Sequence, residues 1–571
     1  MTIKVSKQLA TMQDLAIGVG QVVQRRNGID LTLDKIDLAT NTEVQDRVIR
    51  VTSIAAMEAY SVPAGYVFSL NAGGRSGTFD VVAGDFSTEL AADTLNGIYV
   101  GLADNPTATS KVAKRRIGTV VSLDWFGAVG DAITDDTAAL QAAIDYSQID
   151  NSALFLSSKT YRTTSTVTGL RPISIKGTYP SAYIGPPVAP DPIGGGSWLF
   201  FDHAAIGLFF DGDGTTLGTV YLDQFGTFRN QPTPDTGWVP GDFDFDISCD
   251  NVDLVIGDLM LLNPTRGLRM LNGSYGRLSI RRLRGQPLLT GIDLDDQFDS
   301  PRIGEIHFWP FWRDQQDVHN YTLQNLDCLV FGRVDNPSIE SFFSIFSRSG
   351  LYLVESVNGV TNKFKLGNFE VDRSKNGIII GAGVTTAITG LVSNFVFQGE
   401  ASASDTTGII ILGDNPNISF GNVQIFNTEG NAIRSVDGTG AILKISNLSI
   451  RNYDNSGLGF PAVEIAGNNI LDIANIPDVV KVATASIFAG NVNARLSSGT
   501  VSATTDAAGL ISFSHSAQIT PNKVFIQMLT DSPLFTVVPL ISPSYILIRV
   551  FNTAGDTQNS TAVTFCWQAS Y

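Results

Sequence analysis

The chain has 571 residues, which is too long for one compact hydrophobic core and indicates about three or four folded units. Its 55 glycines and its low share of charged residues, 16%, are typical of a protein rich in turns and strands. The formal net charge of −17 disfavours binding to nucleic acid or to an anionic membrane surface, so a neutral or polar ligand is expected.

Residues 1–118 are predicted to form a separate N-terminal unit. Short strand-like runs such as Val48–Val51 and Tyr66–Leu70 are divided by turn-rich segments, of which Asn71–Gly77 is an example. The unit ends in a basic run, Lys111–Arg116, which we interpret as an exposed linker to the next unit.

The segment Val121–Ile144 predicts a helix at the start of the second unit. Thr134 or Asp135 is expected to cap its N-terminus, and Leu140 and Ile144 lie on one apolar face. Strand-like residues follow directly, and an open stack of strands needs a cover at its end. We therefore predict that this helix covers the first turn of a strand stack.

The sequence FGAVGDAITDDTAALQAAI within this segment resembles the opening motif of pectate-lyase-like right-handed β-helices, which phage tailspike proteins carry after a small particle-binding domain. Ala132 departs from the glycine usual in that motif. The resemblance implies that Asp131, Asp135 and Asp136 brace the helix and are not catalytic.

A repeated strand supports the β-helix from within the sequence. Segments such as Gly304–Trp309 and Gly367–Asp372 share a small residue, a polar residue and then alternating apolar residues, which is typical of a strand with one buried face. Repetition at intervals near 26 residues predicts one coil of a parallel β-helix per interval. The first residues of the repeats are Gly257, Gly276, Gly304, Ser341, Gly367, Ser393, Gly421 and Ser446. A second strand in the coil is indicated by a glycine followed by an apolar residue, and we call this glycine the second strand marker. It occurs at Gly267, Gly291, Gly350, Gly377 and Gly408.

The coil pattern ends near Ile476–Asp478, and the strand-rich tail predicts an antiparallel β-sandwich. The dense apolar run Leu534–Ile541 favours burial against identical chains. Symmetry alone then predicts a closed ring, without specifying the number of chains in it. Tailspikes of this kind are trimers, so the resemblance implies a homotrimer. The expected fold is thus all-β: an N-terminal particle-binding domain and linker (1–118), a right-handed parallel β-helix (119–477) and a C-terminal β-sandwich for trimerisation or ligand binding (478–571).

The repeat also predicts which side chains point outward. The third and fifth residues of each repeated strand are apolar and face the interior, so the fourth and sixth face solvent. Successive outward pairs are His307 and Trp309, Ser344 and Phe346, and Glu370 and Asp372. Aromatic faces are platforms for sugar rings, and paired carboxylates supply a general acid with a base or nucleophile. Glu370 and Asp372 are therefore candidate catalytic residues, while His307, Trp309 and Phe346 are candidate sugar contacts.

The longest interval between repeats inserts Pro310–His319 directly after Trp309, and the resulting loop is expected to overhang this face. Phe311 and Trp312 are further candidate sugar platforms, and Arg313 is a candidate partner for acidic sugars. Asp314 and Asp317 are alternative candidate catalytic acids, and further open alternatives are Glu305, Glu340, Glu355 and Glu400. The acidic run Asp293–Asp299 lacks the spacing of a calcium-binding EF-hand, so no metal or cofactor is expected.

Cysteine usage and the N-terminus bear on localisation. Cys249, Cys328 and Cys566 are widely spaced, which predicts buried free thiols and neither a zinc site nor a disulfide framework. Residues 1–15 lack a secretion-signal pattern, and no apolar run approaches eighteen residues. With the resemblance, this implies a virion protein that is assembled in the host cytoplasm and does not insert into membranes.

The resemblance implies a phage tailspike that binds and cleaves a bacterial surface polysaccharide, with a phage tail or baseplate protein as the partner of its N-terminal domain. Hydrolysis by paired carboxylates is the leading interpretation. A polysaccharide lyase needs a uronic acid substrate and a nearby cation, for which Arg281, Arg313 and Arg451 are candidates. A non-catalytic adhesin is the third interpretation.

Overall fold

The computed structural model describes residues 47–475 with short omissions, together with the backbone of strands before and after this range. Side chains are described from residue 47 to residue 464. The omitted segments within 47–475 are 171, 181–194, 213–217, 272–276, 436–439, 459 and 466–469. The outer strands are 21–26, 29–34, 497–504, 510–514, 523–528, 534–541, 545–552 and 562–570.

The chain divides into two compact units, one made of residues 1–119 with Asp124–Gly127 and the other of residues 120–123 with 128–571. The first unit contains a hairpin and a five-stranded sheet with two short helices, Ile54–Glu58 and Ser87–Ala92. The hairpin strands are Gln21–Arg26 and Ile29–Asp34, and the sheet strands in spatial order are Val48–Val51, Val67–Leu70, Gly77–Ala83, Lys111–Arg115 and Tyr99–Val100.

The basic run Lys111–Arg116 is part of this sheet, so its interpretation as an exposed linker is wrong. Arg115 is only 2% exposed, and its Nε donates a hydrogen bond to the carbonyl oxygen of Gly97 over 2.6 Å. Its guanidinium also lies 4.4 Å from the ring centre of Phe79 and 4.8 Å from that of Trp125. Burial lowers the pKa of Arg115 to about 10. The arginine therefore ties the sheet of the first unit to Trp125, which belongs to the same unit.

The second unit contains two large parallel sheets in which the chain alternates between one sheet and the other. Strands adjacent in a sheet come from successive coils, and this is consistent with the predicted right-handed parallel β-helix. The 17-stranded sheet consists of Val120–Ser122, Asp131–Asp135, Ala153–Phe155, Thr160–Thr163, Ile173–Lys176, Trp198–Phe201, Thr219–Asp223, Phe225–Arg229, Asp253–Leu261, Leu278–Gly285, Arg302–Phe308, Ser338–Ile345, Phe364–Ser374, Thr389–Gly399, Asn417–Phe426, Ile442–Arg451 and Ile470–Asn475. The 11-stranded sheet consists of Val167–Gly169, Leu208–Asp211, Phe245–Asp250, Arg266–Leu271, Thr290–Leu294, Asp327–Phe331, Ser349–Leu353, Asn376–Ile380, Thr407–Ile411, Ile433–Ser435 and Val463–Ile465.

The predicted helix is confirmed and spans Thr137–Asp150, but its N-cap residue is Asp136, not Thr134 or Asp135. The Asp136 side chain leaves the helix uncapped and instead accepts hydrogen bonds from the backbone N–H groups of Val129 and Gly130, at 2.7 and 3.0 Å. Asp131 and Asp135 likewise accept bonds from nearby backbone and threonine groups. Of the three carboxylates, Asp135 bonds a residue of the helix, Thr137, as the resemblance implies, whereas Asp131 and Asp136 brace the segment before the helix.

The interior of the later coils contains a ladder of phenylalanines: Phe342, Phe369 and Phe395 occupy the same repeat position, and Phe420 lies three residues before that position in its strand. The rings of Phe342 and Phe369 stack with centroids 4.3 Å apart and planes 9° apart, and Phe395 and Phe420 continue the ladder above them. All four are almost completely buried. Stacked aromatic rings contribute dispersion in addition to the apolar area that they remove from water.

The long strands share one position at which ladder pairing is interrupted, which we call the gap position. Ile303 pairs with Ile339 and Glu305 with Ser341, so the gap falls at Gly304 and Glu340. The sequence predicted Ser341 at this position, and that prediction is wrong by one residue. Gly276, predicted for the preceding coils, lies outside the described residues, and Arg281 occupies the gap there. The gap residues are Gly257, Arg281, Gly304, Glu340, Gly367, Ser393, Gly421 and Ser446.

Glycine at the gap position has a steric cause in three of these coils. A Cβ atom on Gly304 would lie 2.7 Å from the carbonyl oxygen of Arg281, and one on Gly367 would lie 2.4 Å from that of Glu340. Gly421 meets the carbonyl of Ser393 in the same way, at 2.5 Å. Successive coils therefore approach one another closely at this position.

The tail contains two three-stranded antiparallel sheets. Three of their strands, Lys523–Met528, Tyr545–Asn552 and Ala562–Ser570, correspond to strands predicted from the sequence. The other strands are Ser497–Thr504, Leu510–Ser514 and Leu534–Ile541. The boundary near Ile476–Asp478 lies outside the described residues, and a sandwich of the two sheets remains a prediction.

Cys249 and Cys328 are buried free thiols, as predicted, whereas the side chain of Cys566 lies outside the described residues. Within the described part of the chain, no helix is long and apolar enough to cross a membrane.

Candidate functional site

The residues three positions after the gap form a column on the outside of the stack. Strand pairing places Arg284 beside His307, His307 beside Phe343, and Phe343 beside Glu370. Neighbouring strands lie about 4.8 Å apart, so this column extends roughly 14 Å from the arginine to the carboxylate. A second column, five positions after the gap, contains Trp309, Ile345 and Asp372. We call these two columns the outward face.

Four partly exposed rings form a cluster on this face. His307 lies 5.1 Å from Phe343, 5.8 Å from Phe311 and 6.2 Å from Trp309, measured between ring centroids. Trp309 and Phe343 are 6.0 Å apart with their planes inclined by 37°. Burial lowers the pKa of His307, an effect that Glu305 opposes and Arg284 strengthens. The structure thus brings three of the candidate sugar contacts, His307, Trp309 and Phe311, together in one cluster.

The exposure predicted for Trp312 and Phe346 is wrong. Trp312 is 4% exposed and packs against Trp238 at 5.8 Å, in an apolar cluster that covers the outside of earlier coils. Phe346 is 7% exposed and is covered by His319, whose ring stacks on it at 3.8 Å. The shifted gap position explains the second error, because outward positions in this coil belong to Phe343 and Ile345.

The two carboxylates of strand Phe364–Ser374 face the same way, two residues apart, so their Cα atoms are roughly 6.5–7 Å apart. Glu370 is exposed and Asp372 is half-buried. Partial loss of hydration, followed by repulsion from Asp372, raises the pKa of Glu370. Burial also raises the pKa of Asp372, an effect that Glu400 strengthens and Arg373 opposes. Both acids therefore hold their protons to a higher pH than free carboxylates do.

An ion pair between exposed Arg373 and buried Glu400 flanks the acids. Arg373 donates from Nε to Glu400 over 2.8 Å, and its guanidinium lies 4.8 Å from the ring centre of Phe346. Glu400 is 8% exposed and also accepts bonds from the backbone and hydroxyl of Ser402. Since Glu400 is already held by three donors, it acts on the site through its charge.

The insertion after Trp309 forms the helix Gln316–Asn325 and brings His319 towards the acids. Asp314 is exposed, and one of its oxygens lies 3.3 Å from Nε2 of His319. Burial lowers the pKa of His319, which the charge of Asp314 partly offsets. Asp317 lies in the first turn of the helix, where the helix dipole stabilises a negative charge. Both aspartates thus have local partners.

Arg313 is half-buried beside its neighbour Trp312, 5.5 Å from that ring centre. Its backbone N–H donates to Oε1 of Gln286 over 2.8 Å, and its carbonyl accepts from Nε2 of the same side chain over 2.8 Å. Burial lowers the pKa of the guanidinium. These two hydrogen bonds to Gln286 anchor the insertion to the coil that contains Gln286.

The sequence reasoning missed Phe343 and Arg284 as site residues, and it named Glu400 as an alternative catalytic acid but not as the partner of Arg373. A signal for the first two was present, because the second strand marker follows the gap residue by ten positions in several coils: Gly267 follows Gly257, and Gly377 follows Gly367. Counting back ten positions from Gly350 and Gly291 gives Glu340 and Arg281. Glu400 directly follows strand Thr389–Gly399, and the pairing register shifts between Val371 and Ser374, so no regular spacing connects it to Asp372.

A groove of about 870 Å³ runs along the gap positions, next to the outward face. We call it the gap groove. One side is formed by residues two positions before the gap, such as Arg302, and the other by residues one position after it, such as Glu305 and Asn368. Its other polar lining residues are Tyr221, Ser279, Arg281, Ser338, Glu340 and Ser341.

The acidic run Asp293–Asp299 is engaged by protein groups. Asp295 accepts hydrogen bonds from the backbone N–H of Arg333, the hydroxyl of Ser356 and the amide of Asn358. Burial raises the pKa of Asp293 to about 6. Among the described residues, no group of three or more His, Cys, Asp or Glu side chains is arranged to hold a metal ion.

The outward face thus combines aromatic rings with two carboxylates whose pKa values are raised. Such a pair can donate a proton to a glycosidic oxygen and activate water or attack the anomeric carbon. The rings next to it present apolar faces of the size of a sugar ring.

Comparisons with known proteins found a matching family model and several similar solved structures. A family model for rhamnogalacturonase A/epimerase, pectate lyase-like, matches residues 120–182, and this confirms the resemblance predicted from the opening motif.

The enzymatically active domain of tailspike protein 4 from bacteriophage CBA120 is 8% identical with a TM-score of 0.46, covering 95% of this chain and 79% of that chain. Tailspike protein 2 of the same phage is 12% identical with a TM-score of 0.41, over 94% and 82%. Tailspike gp49 of Acinetobacter baumannii bacteriophage Fri1, a capsular polysaccharide depolymerase, is 9% identical with a TM-score of 0.39, over 91% and 97%. The chain is similar to pectate-lyase-like proteins at the start of its β-helix and to solved phage tailspikes over most of its length.

Proposed function

We propose that this protein is a phage tailspike that binds a bacterial surface polysaccharide, an O-antigen or a capsule, and depolymerises it by endo-glycosidic hydrolysis. The observation that carries the proposal is the pair Glu370 and Asp372, whose pKa values are both raised, one coil above an aromatic cluster. Raised carboxyl pKa values are what a general acid near neutral pH requires.

In the proposed reaction, one of the two acids protonates the glycosidic oxygen as the bond to the anomeric carbon breaks. The other, ionised, either removes a proton from the attacking water or attacks the anomeric carbon itself. The two-residue spacing is compatible with both inverting and retaining geometry, because side-chain rotation changes the carboxyl separation over several ångströms. Arg373 and Glu400 set the charge around Asp372 without contacting the sugar.

The aromatic cluster is proposed to bind the sugar chain beside the acids. Phe343 lies directly between His307 and Glu370 in the column, and Trp309 lies next to Phe343. Ring faces of Trp and Phe pack against the C–H face of a pyranose, while His307 can hydrogen bond a hydroxyl. The neighbouring acids then act on the bond at the end of this platform.

The test compares cleavage and binding in Glu370→Gln and Asp372→Asn. We expect each variant to lose about 10²–10⁴-fold in kcat, because general acid–base catalysis contributes about that much, while affinity for the polysaccharide is retained. Chain length is followed by size-exclusion chromatography of purified capsular and O-antigen polysaccharides. Asp405→Asn, an exposed carboxylate elsewhere on the β-helix unit, is the matched control and is expected to cleave normally.

Full activity in both variants would show that the catalytic acids lie elsewhere, with Asp314 and Asp317 next to be substituted. Unchanged chain length with the unmodified protein and every polysaccharide that it binds would leave a non-catalytic adhesin.

A lyase is the second candidate, and Arg284 favours it because it places a cation beside His307 on the same face. A lyase removes the proton on the carbon next to the carboxylate of a uronic acid. A cation must neutralise that carboxylate, and the product of the reaction is unsaturated. Ultraviolet absorbance of the products therefore separates the two reactions. Arg313 is a further candidate cation, as is Arg451 higher on the stack.

The remaining parts of the proposal concern assembly. We propose that residues 1–118 attach the protein to a phage tail or baseplate protein, that residues 119–477 form the right-handed β-helix, and that residues 478–571 form a sandwich that holds a homotrimer in the virion. The apolar run Leu534–Ile541, which forms one strand of the tail, supports the last point.

A further inference from the structure

We propose that the gap groove is a second carbohydrate-binding site, which holds the stretch of polysaccharide that continues from the outward face. This inference rests on the proposed function, because it assigns the same polymer to both surfaces. It assigns a role to Arg302, Glu305 and Glu340, none of which takes part in the proposed reaction.

The dimensions of the groove suit an oligosaccharide. Its lining residues come from six neighbouring strands, from Tyr221 at one end to Asn368 at the other. Five steps of about 4.8 Å give a length of roughly 24 Å, which accommodates several sugar rings in a row. A volume of about 870 Å³ is also within the usual range of ligand sites, about 300–1,000 Å³.

The chemistry of the groove suits a ligand rich in hydroxyl groups. Carboxylates such as Glu305 and Glu340 accept hydrogen bonds from hydroxyls, and guanidinium groups such as Arg281 and Arg302 donate to sugar oxygens or to a sugar carboxylate. Ile280 and Ile303 are buried beneath the groove, whereas Val255 is partly exposed in it. Polar and apolar atoms contribute about equally to its surface, a mixture that suits the hydroxyl groups and the C–H faces of sugar rings.

The charges in the groove lie on three adjacent strands in its middle. Counted from the strand of Tyr221, Arg281 is on the third strand, Arg302 and Glu305 share the fourth, and Glu340 is on the fifth. Arg281 has Asp258 as a partner at 3.5 Å, but within the described part of the chain neither Arg302 nor Glu340 forms an ion pair or a side-chain hydrogen bond. Both groups are exposed and open to a ligand.

The groove and the outward face are adjacent on the same strands. Glu305 precedes His307 by two residues, and Asn368 precedes Glu370 by two residues. Two residues of extended strand span about 6.5–7 Å, so a sugar chain can pass from one surface to the other within about one ring. The groove thereby extends the binding surface and selects for long chains over short ones.

The test measures binding of short and long oligosaccharides to the full chain. The probes are capsular and O-antigen oligosaccharides on a glycan array, in neutral and acidic sets of increasing length, followed by titration calorimetry with those that bind. We expect the double variant Arg302→Ala/Glu340→Ala to lose about tenfold or more in affinity for long chains and to bind the shortest fragments normally. Lys444→Ala, exposed in the same strand column as Arg302 but beyond the groove, is the matched control.

The outcomes separate this inference from the proposed function. Unchanged affinity of the double variant for long chains overturns the groove assignment and leaves cleavage by Glu370 and Asp372 untouched. Weakened binding in the double variant with normal binding in Trp309→Ala supports the groove and contradicts the aromatic platform. A greater loss for acidic than for neutral chains assigns Arg302 to a sugar carboxylate, and an equal loss assigns it to hydroxyls. An unmodified protein that retains no glycan contradicts both proposals.

Discussion

At the residue scale, Glu370 and Asp372 are arranged at a cost to stability. Their pKa values are raised in the folded chain, so the folded state binds protons more tightly than the unfolded state. Stability contributed by these groups is therefore present at low pH, where both are protonated, and is lost as the pH rises from about 4 through their folded-state values.

This sign leads to a testable prediction. Replacing Glu370 with Gln and Asp372 with Asn together is expected to raise the melting temperature at pH 7 to 8, because the substitution removes two charges that the fold disfavours. The gain is expected to shrink towards zero near pH 4. Differential scanning calorimetry at several pH values measures it, with Asp405→Asn as a control whose effect is small throughout. A double variant less stable than the unmodified protein at pH 7 would show that these carboxylates stabilise the fold.

Two residues of the opening motif show which features the resemblance predicts and which it does not: it predicts the backbone conformation at Ala132 but not the hydrogen bonds of Asp136. Ala132 has a φ of +63°, the left-handed conformation for which glycine is usual, and it stands where the related motif has glycine. The backbone conformation is therefore kept although the residue differs. By contrast, Asp136 turned away from the helix that it precedes, because two backbone N–H groups of its own loop offered bonds to its carboxylate.

At the element scale, each coil is held by what lies inside it, and the phenylalanine ladder is the clearest case. Phe369→Ala is expected to reduce the free energy of unfolding by about 3–5 kcal/mol, because it removes a stacked ring and leaves a cavity between Phe342 and Phe395. Leu391→Ala, 56% exposed in a neighbouring strand, is expected to change it by less than about 0.5 kcal/mol.

Hydrogen exchange is the suitable measurement, since a long stack need not unfold in one step. Amides of strands Ser338–Ile345 and Thr389–Gly399 are expected to exchange faster in Phe369→Ala and at the original rate in Leu391→Ala. Equal exchange in the two variants would mean that the ladder adds little to the cohesion of adjacent coils.

Elements also show how far the sequence could predict the site. Period-two alternation with a glycine at the gap placed Glu370, Asp372, His307 and Trp309 correctly on the outside. The same rule failed in the strand Ser338–Ile345, because its run Ser-Phe-Phe-Ser-Ile-Phe alternates acceptably in either phase and a glutamate occupies the gap. The contacts of an inserted segment depend on tertiary packing. The period-two alternation of the strands therefore could not predict the burial of Trp312 or the packing of His319 on Phe346.

At the scale of the whole molecule, the candidate sites occupy part of the length of the stack of coils. The helix Thr137–Asp150 covers the beginning of the stack, where its apolar face is buried. The outward face and the gap groove share the strands Leu278–Gly285, Arg302–Phe308, Ser338–Ile345 and Phe364–Ser374. The coils that follow end in a tail with an apolar strand, Leu534–Ile541, which is why assembly is proposed there.

The proposed homotrimer gives the last prediction. Light scattering coupled to size-exclusion chromatography of the full chain is expected to give three times the chain mass of 61.1 kDa. Each chain carries a formal charge of −17, so association must overcome mutual repulsion and is expected to depend on apolar contact. Raising the salt from about 0.15 to 1 M shortens the Debye length from about 8 to 3 Å and should therefore leave the trimer intact or strengthen it. A mass equal to one chain, or dissociation as salt is added, would show that the apolar strand of the tail is not an interface between copies.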